Sequence, residues 1–207
     1  MAKLYFRHGA MDSSKSANLL MAAYNYKKQG KIALIFKPSI DSRSEKGYVE
    51  SRIGIRSECI DFSSDADLTL LLEKECKAIE SGRPDCILVD ECQFLTKKQV
   101  LQLVHIVDKM DIPVICYGLK NSFIPGKLFE GSEALLYYSD SIEEIKTVCT
   151  FCDKKATMNL RIVGGKPVYN GNEITVGDTE KNCQEYYIPV CRKHFLSPPE
   201  DMEKFKL

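Results

Sequence analysis

Leu4-Tyr5-Phe6-Arg7-His8-Gly9-Ala10-Met11-Asp12-Ser13-Ser14-Lys15-Ser16 is the stretch on which the fold turns. The apolar run Leu4-Phe6 predicts a strand, and Leu19, Ala22, Ala23 and Tyr26, spaced three or four apart, predict a helix after it. A strand that runs into a glycine-led loop ending in Lys-Ser at a helix start is the context of a phosphate-binding loop. There, backbone N–H groups and the positive end of the helix dipole surround phosphates. Lys15 would contact the β- and γ-phosphates of ATP, and the Ser16 hydroxyl would ligate Mg²⁺. Gly9, Ala10, Met11, Asp12, Ser13 and Ser14 form the loop itself. Ser14 stands where the pattern G-x-x-x-x-G-K-[ST] has its second glycine. If that position needs φ > 0, serine carries a strain of about 1 kcal/mol or more.

Outward from this loop, residues 1–146 alternate β-rich runs with helical periodicity, which predicts an α/β domain with a mainly parallel central sheet. Further strands are expected at Ile32-Phe36, Cys86-Val89 and Val114-Tyr117. Two more helices are expected, one from Leu68, Leu71, Leu72, Cys76 and Ile79, the other from Val100, Leu103, Val104 and Val107. Gly30 and Gly82 read as the stops of the first two helices, and Thr96 as the cap of the third. Pro38 to Arg56 is polar, with Asp41, Arg43, Arg52, Arg56, Gly47 and Gly54, and reads as a long mobile loop.

The run Cys86-Ile87-Leu88-Val89 ends in Asp90-Glu91, and a hydrophobic strand ending in an acid places a carboxylate on the Mg²⁺ water shell in phosphate-binding-loop proteins. Asp90 fits that role. Strand alternation would turn Glu91 the other way, where it is available as a base for an acceptor hydroxyl.

Lysine plus arginine equals aspartate plus glutamate at 29 each, so no net positive field exists to draw a nucleic-acid backbone or an anionic membrane. A chain of 207 residues that is 44% hydrophobic suits one substantial core with a small appended module. Neither a signal peptide nor a run of ~20 apolar residues is present, and a cytoplasmic protein is expected. Among its nine cysteines, Cys59, Cys76, Cys86, Cys92 and Cys116 lie in or beside apolar segments and read as small buried hydrophobes. Residues 147–207 form a separate module of short strands and turns. In it, Cys149-x-x-Cys152 and Cys191-x-x-His194 have the spacing of two knuckles converging on a tetrahedral Zn²⁺. Cys183 falls outside that spacing and reads as a spectator. His8 and His105 read as ordinary packed or surface residues.

The order of these pieces resembles the type II thymidine kinases over nearly the whole chain. The loop Gly9 to Ser16, Asp41-Ser42-Arg43, Val89-Asp90-Glu91-Cys92-Gln93-Phe94, Cys116-Tyr117-Gly118-Leu119 leading to Phe123 and Phe129, and Tyr187-Ile188-Pro189-Val190-Cys191-Arg192-Lys193-His194 carry the resemblance. It implies a P-loop domain with a zinc-ribbon-like β domain, and ATP-dependent phosphorylation of the 5′-hydroxyl of thymidine, with deoxyuridine as a second substrate. It casts Glu91 as the catalytic base and places Asp41, Arg43, Asp90 and Gln93 with ATP and Mg²⁺. Met11, Phe94, Leu119, Phe123 and Phe129 then form the thymine pocket. Glu173, Ile174, Thr175, Val176 and Gly177, with Tyr187, form a lasso-like loop over the base, binding it largely through main-chain groups. The family also implies a homotetramer inhibited by dTTP. The chain departs from the family pattern at Ser14, at Asp178, and in a longer stretch Glu180 to Tyr186. The competing reading is a zinc-ribbon binding module on a degenerate phosphate loop, sensing nucleotide or binding nucleic acid without turnover. Lys15, Ser16, Asp90 and Glu91 are retained, and no basic, aromatic-laced patch is evident, which weighs against it.

Overall fold

A computed structural model describes residues 1–41, 44–171 and 185–199. In chain order the elements are β1 (Leu4–His8), α1 (Lys15–Lys28), β2 (Ala33–Pro38), β3 (Tyr48–Glu50), β4 (Arg56–Glu58), β5 (Ile60–Phe62), α2 (Leu68–Cys76) and β6 (Cys86–Val89). A 3₁₀ turn (Cys92–Phe94), α3 (Lys97–Met110), β7 (Val114–Gly118), α4 (Glu130–Tyr138) and β8 (Ser141–Glu144) follow. The last are β9 (Met158–Val163), β10 (Lys166–Val168), β11 (Glu185–Val190) and α5 (Arg192–Leu196).

Six strands make one sheet in the order β5-β2-β6-β7-β1-β8, and each neighbouring pair is parallel. Strand β6 lies near its middle with all four residues buried, as expected of a parallel strand covered on both faces. Ile87 and Val89 turn to the face packed by α2, α3 and α4, together with Phe6, Phe36, Leu68, Leu103 and Leu135. Cys86 and Leu88 turn to the face covered by α1, with Leu19, Leu20 and Tyr117. Helices on both faces hold the carboxyl ends of β1, β2, β6 and β7 in register, and there a doubly covered parallel sheet places its ligands.

Helix ends follow from local chemistry. Gly30, at φ 71°, ends α1 as a left-handed cap. Its N–H donates to Lys27 O and that of Lys31 to Tyr26 O, the paired bonds of a Schellman motif. Thr96 caps α3 in a reciprocal capping box with Gln99. α2 differs from expectation. It stops at Cys76, and Gly82 closes a separate turn by donating to Ile79 O.

Three further expectations are corrected. The polar segment from Pro38 to Arg56 is not a plain loop, since β3 forms within it and pairs antiparallel with β4, which begins at its last residue. Strands β5 and β8 and helix α4 belong to the domain although no apolar pattern announced them. Cys59 and Cys76 are half-buried, whereas Cys86, Cys92 and Cys116 are buried as read. Beyond residue 146 the chain builds a second, antiparallel sheet in the order β10-β9-β11 with its own small core. Gly164 and Gly165, at φ 55° and 78°, supply the two positive-φ positions of the β9–β10 hairpin turn. Among the described residues, no helix is long and apolar enough to cross a membrane.

Candidate active site

The phosphate loop grows directly from the end of β1. The Gly9 N–H donates to Gly118 O at 3.2 Å. A Cβ on Gly9 would lie 2.2 Å from Ser13 Oγ and 2.6 Å from Ile145 O, so the loop folds back on itself at a point where only hydrogen fits. Asp12 and Ser14 both hold positive φ, at 58° and 59°. Ser14 therefore does occupy the left-handed region that the motif reserves for glycine. Lys15 opens α1 and is buried. Its Nζ donates to Ala10 O at 2.7 Å and lies 3.4 Å from Ser13 Oγ. The ammonium thus sits inside the curve of the loop.

Around this loop lies a cleft of about 920 Å³. Ser16, Asp41, Asp90 and Glu91 line it with Lys15, so the sheet's carboxyl end gathers these sequence-predicted groups in one place. Asp90 continues β6, its N–H donating to Phe36 O at 3.0 Å. Glu91 does not obey the strand alternation expected of it. β6 has ended at Val89, and Glu91 adopts φ 47°, ψ 41° as the chain turns into the 3₁₀ turn. Both carboxylates consequently face the same cleft. Gln93, grouped above with ATP and Mg²⁺, is buried behind Glu91 rather than along the cleft wall. Its Nε2 donates to Glu91 Oε2 at 2.5 Å, and its Oε1 accepts from Leu119 N at 2.9 Å.

The β3–β4 hairpin supplies another wall, through residues 49–54. Arg52, at its turn, pairs with the Asp12 carboxylate of the phosphate loop. Lys37, buried at the end of β2, also lines the cleft. Its Nζ donates to Ser44 Oγ and to Tyr48 O, both at 2.8 Å, and faces Asp61 Oδ1 at 3.6 Å. A lysine ending the run Ala33-Leu34-Ile35-Phe36 was the one available signal for it. His8, in line with the reading of it as packed, sets its ring at a tilt against Phe6, the centroids 5.3 Å apart. Burial, with Lys120, pushes it below the usual imidazole range.

Met11 lines the cleft and also belongs to a buried apolar cluster with Leu119, Phe123, Phe129 and Tyr187. Phe94 packs against this cluster, its ring 6.0 Å from Phe129. The Phe123 and Tyr187 rings meet edge to face at 5.9 Å. Every described residue assigned to a base pocket is thus brought together, and Met11 of the phosphate loop joins the pocket to the cleft. Two residues not singled out in the sequence support it. Asn159 of β9 accepts the Met11 N–H at 2.7 Å, and Arg161 places its guanidinium 4.9 Å over the Phe123 ring. Neither carries a local sequence signal, because each acts across a distance in the chain. Arg43, Glu173, Ile174, Thr175, Val176, Gly177, Asp178 and Cys183 lie outside the described residues.

Cys149, Cys152, Cys191 and His194 offer ligand atoms that all lie within 4.8 Å of one another. Cys149 Sγ is 3.4 Å from His194 Nδ1, Cys191 Sγ is 3.6 Å from the same nitrogen, and Cys152 Sγ is 3.9 Å from Cys191 Sγ. A tetrahedral ion with Zn–S near 2.3 Å and Zn–N near 2.0–2.1 Å requires edges of roughly 3.5–3.8 Å. The donor set and its spacing therefore fit zinc. Burial raises the Cys149 thiol. At Cys191 the opposing effect of burial is outweighed by hydrogen bonds that include the His194 and Lys193 N–H groups, and its pKa falls.

A family model described as thymidine kinase matches residues 2–195. A protein named thymidine kinase from Streptococcus agalactiae is 47% identical over 198 residues, covering 96% of this chain and 99% of its own length. Relatives of the same name from Streptococcus thermophilus and Streptococcus pyogenes are also 47% identical, covering 97% and 96% of this chain and 97% and 99% of their own.

Proposed function

Because the chain belongs to the thymidine kinase family, we propose that its cleft transfers the γ-phosphoryl group of ATP to the 5′-hydroxyl of thymidine, with Glu91 accepting the hydroxyl proton. The observation that carries this reading is the joining of two environments at Met11: a charged cleft holding Lys15, Asp90 and Glu91, and a buried aromatic cluster suited to a pyrimidine ring. The loop N–H groups and Lys15 hold the β- and γ-phosphates. Ser16 and Asp90 would hold Mg²⁺, which neutralises charge developing on the transferred group. As the 5′-oxygen bonds to the γ-phosphorus, the bond from that phosphorus to the β-phosphate oxygen breaks and ADP leaves. The proton passes to the Glu91 carboxylate. Arg43 helps to organise the transferring phosphate, and Asp41, which lines the cleft, would belong with Asp90 to the Mg²⁺ and ATP side.

Residues 1–146 serve as the ATP-binding kinase domain, and residues 147–207 as the zinc-binding domain. The four ligands hold a structural Zn²⁺, and residues 173–177 with Tyr187 cover the base through main-chain groups. Deoxyuridine, which lacks the thymine methyl, is the second substrate. A cytoplasmic homotetramer inhibited by dTTP completes the reading.

The test is ADP release from ATP in the presence and absence of thymidine. Wild type is expected to be stimulated by the nucleoside. Glu91→Gln is expected to lose about 10²-fold or more in kcat while ATP binding persists. Near-normal turnover in that variant removes Glu91 from the mechanism, and absence of nucleoside stimulation in wild type favours a sensor.

A further inference from the structure

The side-chain amide of Gln93 is buried between two groups of opposite demand. Its NH₂ end meets the Glu91 carboxylate at 2.5 Å, and its C=O end meets the Leu119 N–H at 2.9 Å. Reversing the amide would set oxygen against carboxylate and N–H against N–H, so both partners specify one orientation. Leu119 is itself fixed, its carbonyl accepting from Ser132 Oγ of α4 at 2.6 Å. Space for the amide comes from Gly118, where a Cβ would stand 2.5 Å from Gln93 Oε1 and 2.6 Å from Cys92 Sγ. Glu91 needs such support, since its backbone is left-handed at φ 47°, a conformation that persists only where its surroundings determine it.

We propose that Gln93 is a positioning residue for phosphoryl transfer: it fixes the Glu91 carboxylate against the Leu119 backbone, and so ties the proton acceptor to the wall of the nucleoside pocket. This rests on the reading of Glu91 as the base. Gln93 touches neither substrate in this role. Its loss therefore acts on kcat through Glu91 and leaves both Michaelis constants nearly unchanged.

The test is a double-variant cycle on the zinc-loaded full chain, with kcat and KM measured for ATP and thymidine. Thermal unfolding and zinc content check that each protein is folded. Gln93→Met, of similar length without the amide, is expected to lower kcat by about 10- to 10²-fold with KM values within about threefold. In the Glu91→Gln background the same change is expected to cost nothing further. Gly118→Ala, which crowds the amide while keeping Gln93, is expected to repeat the pattern and serves if Gln93→Met does not fold. An equal loss in both backgrounds, a loss confined to KM, or unchanged kcat overturns the proposal. If Glu91→Gln itself retains wild-type kcat, the base assignment fails instead, and the two failures are read separately.

Discussion

Ser14, exposed at the N-cap of α1, makes no side-chain capping bond, so its conformation is imposed by the loop rather than by its hydroxyl. At φ 59° its Cβ meets a steric cost of about 1–2 kcal/mol. Ser14→Gly removes that cost but frees the unfolded chain, an opposing effect of about 0.4–1 kcal/mol. The net change in stability is thus expected to stay below about 1 kcal/mol, with activity retained. Ser14→Val has no such compensation, because a β-branched side chain tolerates the left-handed region worse than serine does. Its denaturation midpoint and its ATP affinity are expected to fall together. Normal stability and affinity in Ser14→Val would mean that the loop can bind phosphates with negative φ at this residue. Asp12, Ser14 and Glu91 put three non-glycine residues in positive φ around one cleft, a concentration typical of sites where neighbouring structure sustains local strain.

The β3–β4 hairpin stands or falls with Lys37. With its Nζ bound to Ser44 and Tyr48 and facing Asp61, this lysine joins the hairpin segment to the ends of β2 and β5. Asp61 also accepts the Gly47 N–H at 2.6 Å. Lys37→Met leaves a buried carboxylate without its countercharge and is expected to cost about 3–5 kcal/mol in chemical denaturation. Adding Asp61→Asn should restore part of that loss, because the uncompensated charge then disappears. A double variant no more stable than Lys37→Met would show that lost packing and hydrogen bonds dominate instead. Elements like this hairpin explain what the sequence concealed. β1, β2, β6 and β7 were legible because central parallel strands are unbroken apolar runs. β8 reads Ser141-Ile142-Glu143-Glu144 and β4 reads Arg56-Ser57-Glu58, charged edge strands with no apolar run to detect. α4 hides for another reason. Its Gly131 lets the helix approach Cys92 O and Leu95 O, where a Cβ would stand at 2.5 and 2.7 Å, so close packing is bought with poor helix propensity. The site divides in the same way. Lys15, Asp90, Glu91 and the Cys/His set were legible as local spacings, whereas Lys37, Asn159 and the support role of Gln93 depend on contacts between distant elements.

At the scale of the molecule, two of the contacts that join the small sheet to the site differ in chemistry. β9 brings Asn159 to the Met11 N–H of the phosphate loop, and β11 brings Tyr187 to Phe123 in the apolar cluster. The four candidate zinc ligands flank these strands, Cys149 and Cys152 before β9, and Cys191 and His194 after β11. Removing a ligand should loosen β11 first, since Cys191 directly follows it and the β9–β11 ladder has to be anchored at that end. Tyr187 then moves more than Asn159, which is also held through Asn121 O at 3.5 Å. Cys152→Ser is therefore expected to weaken thymidine binding more than binding of a non-hydrolysable ATP analogue, both measured by calorimetry. Asn159→Leu in the zinc-loaded protein separates the other contact. It leaves the Met11 N–H buried without its acceptor, at about 1–3 kcal/mol, and should weaken the ATP analogue at least as much as thymidine. Equal weakening of both ligands by Cys152→Ser would mean that the metal supports the fold as a whole rather than the base-covering side. Less than about half an equivalent of zinc per chain, with activity intact, would remove the metal from the argument and leave the Asn159 contact to be tested alone.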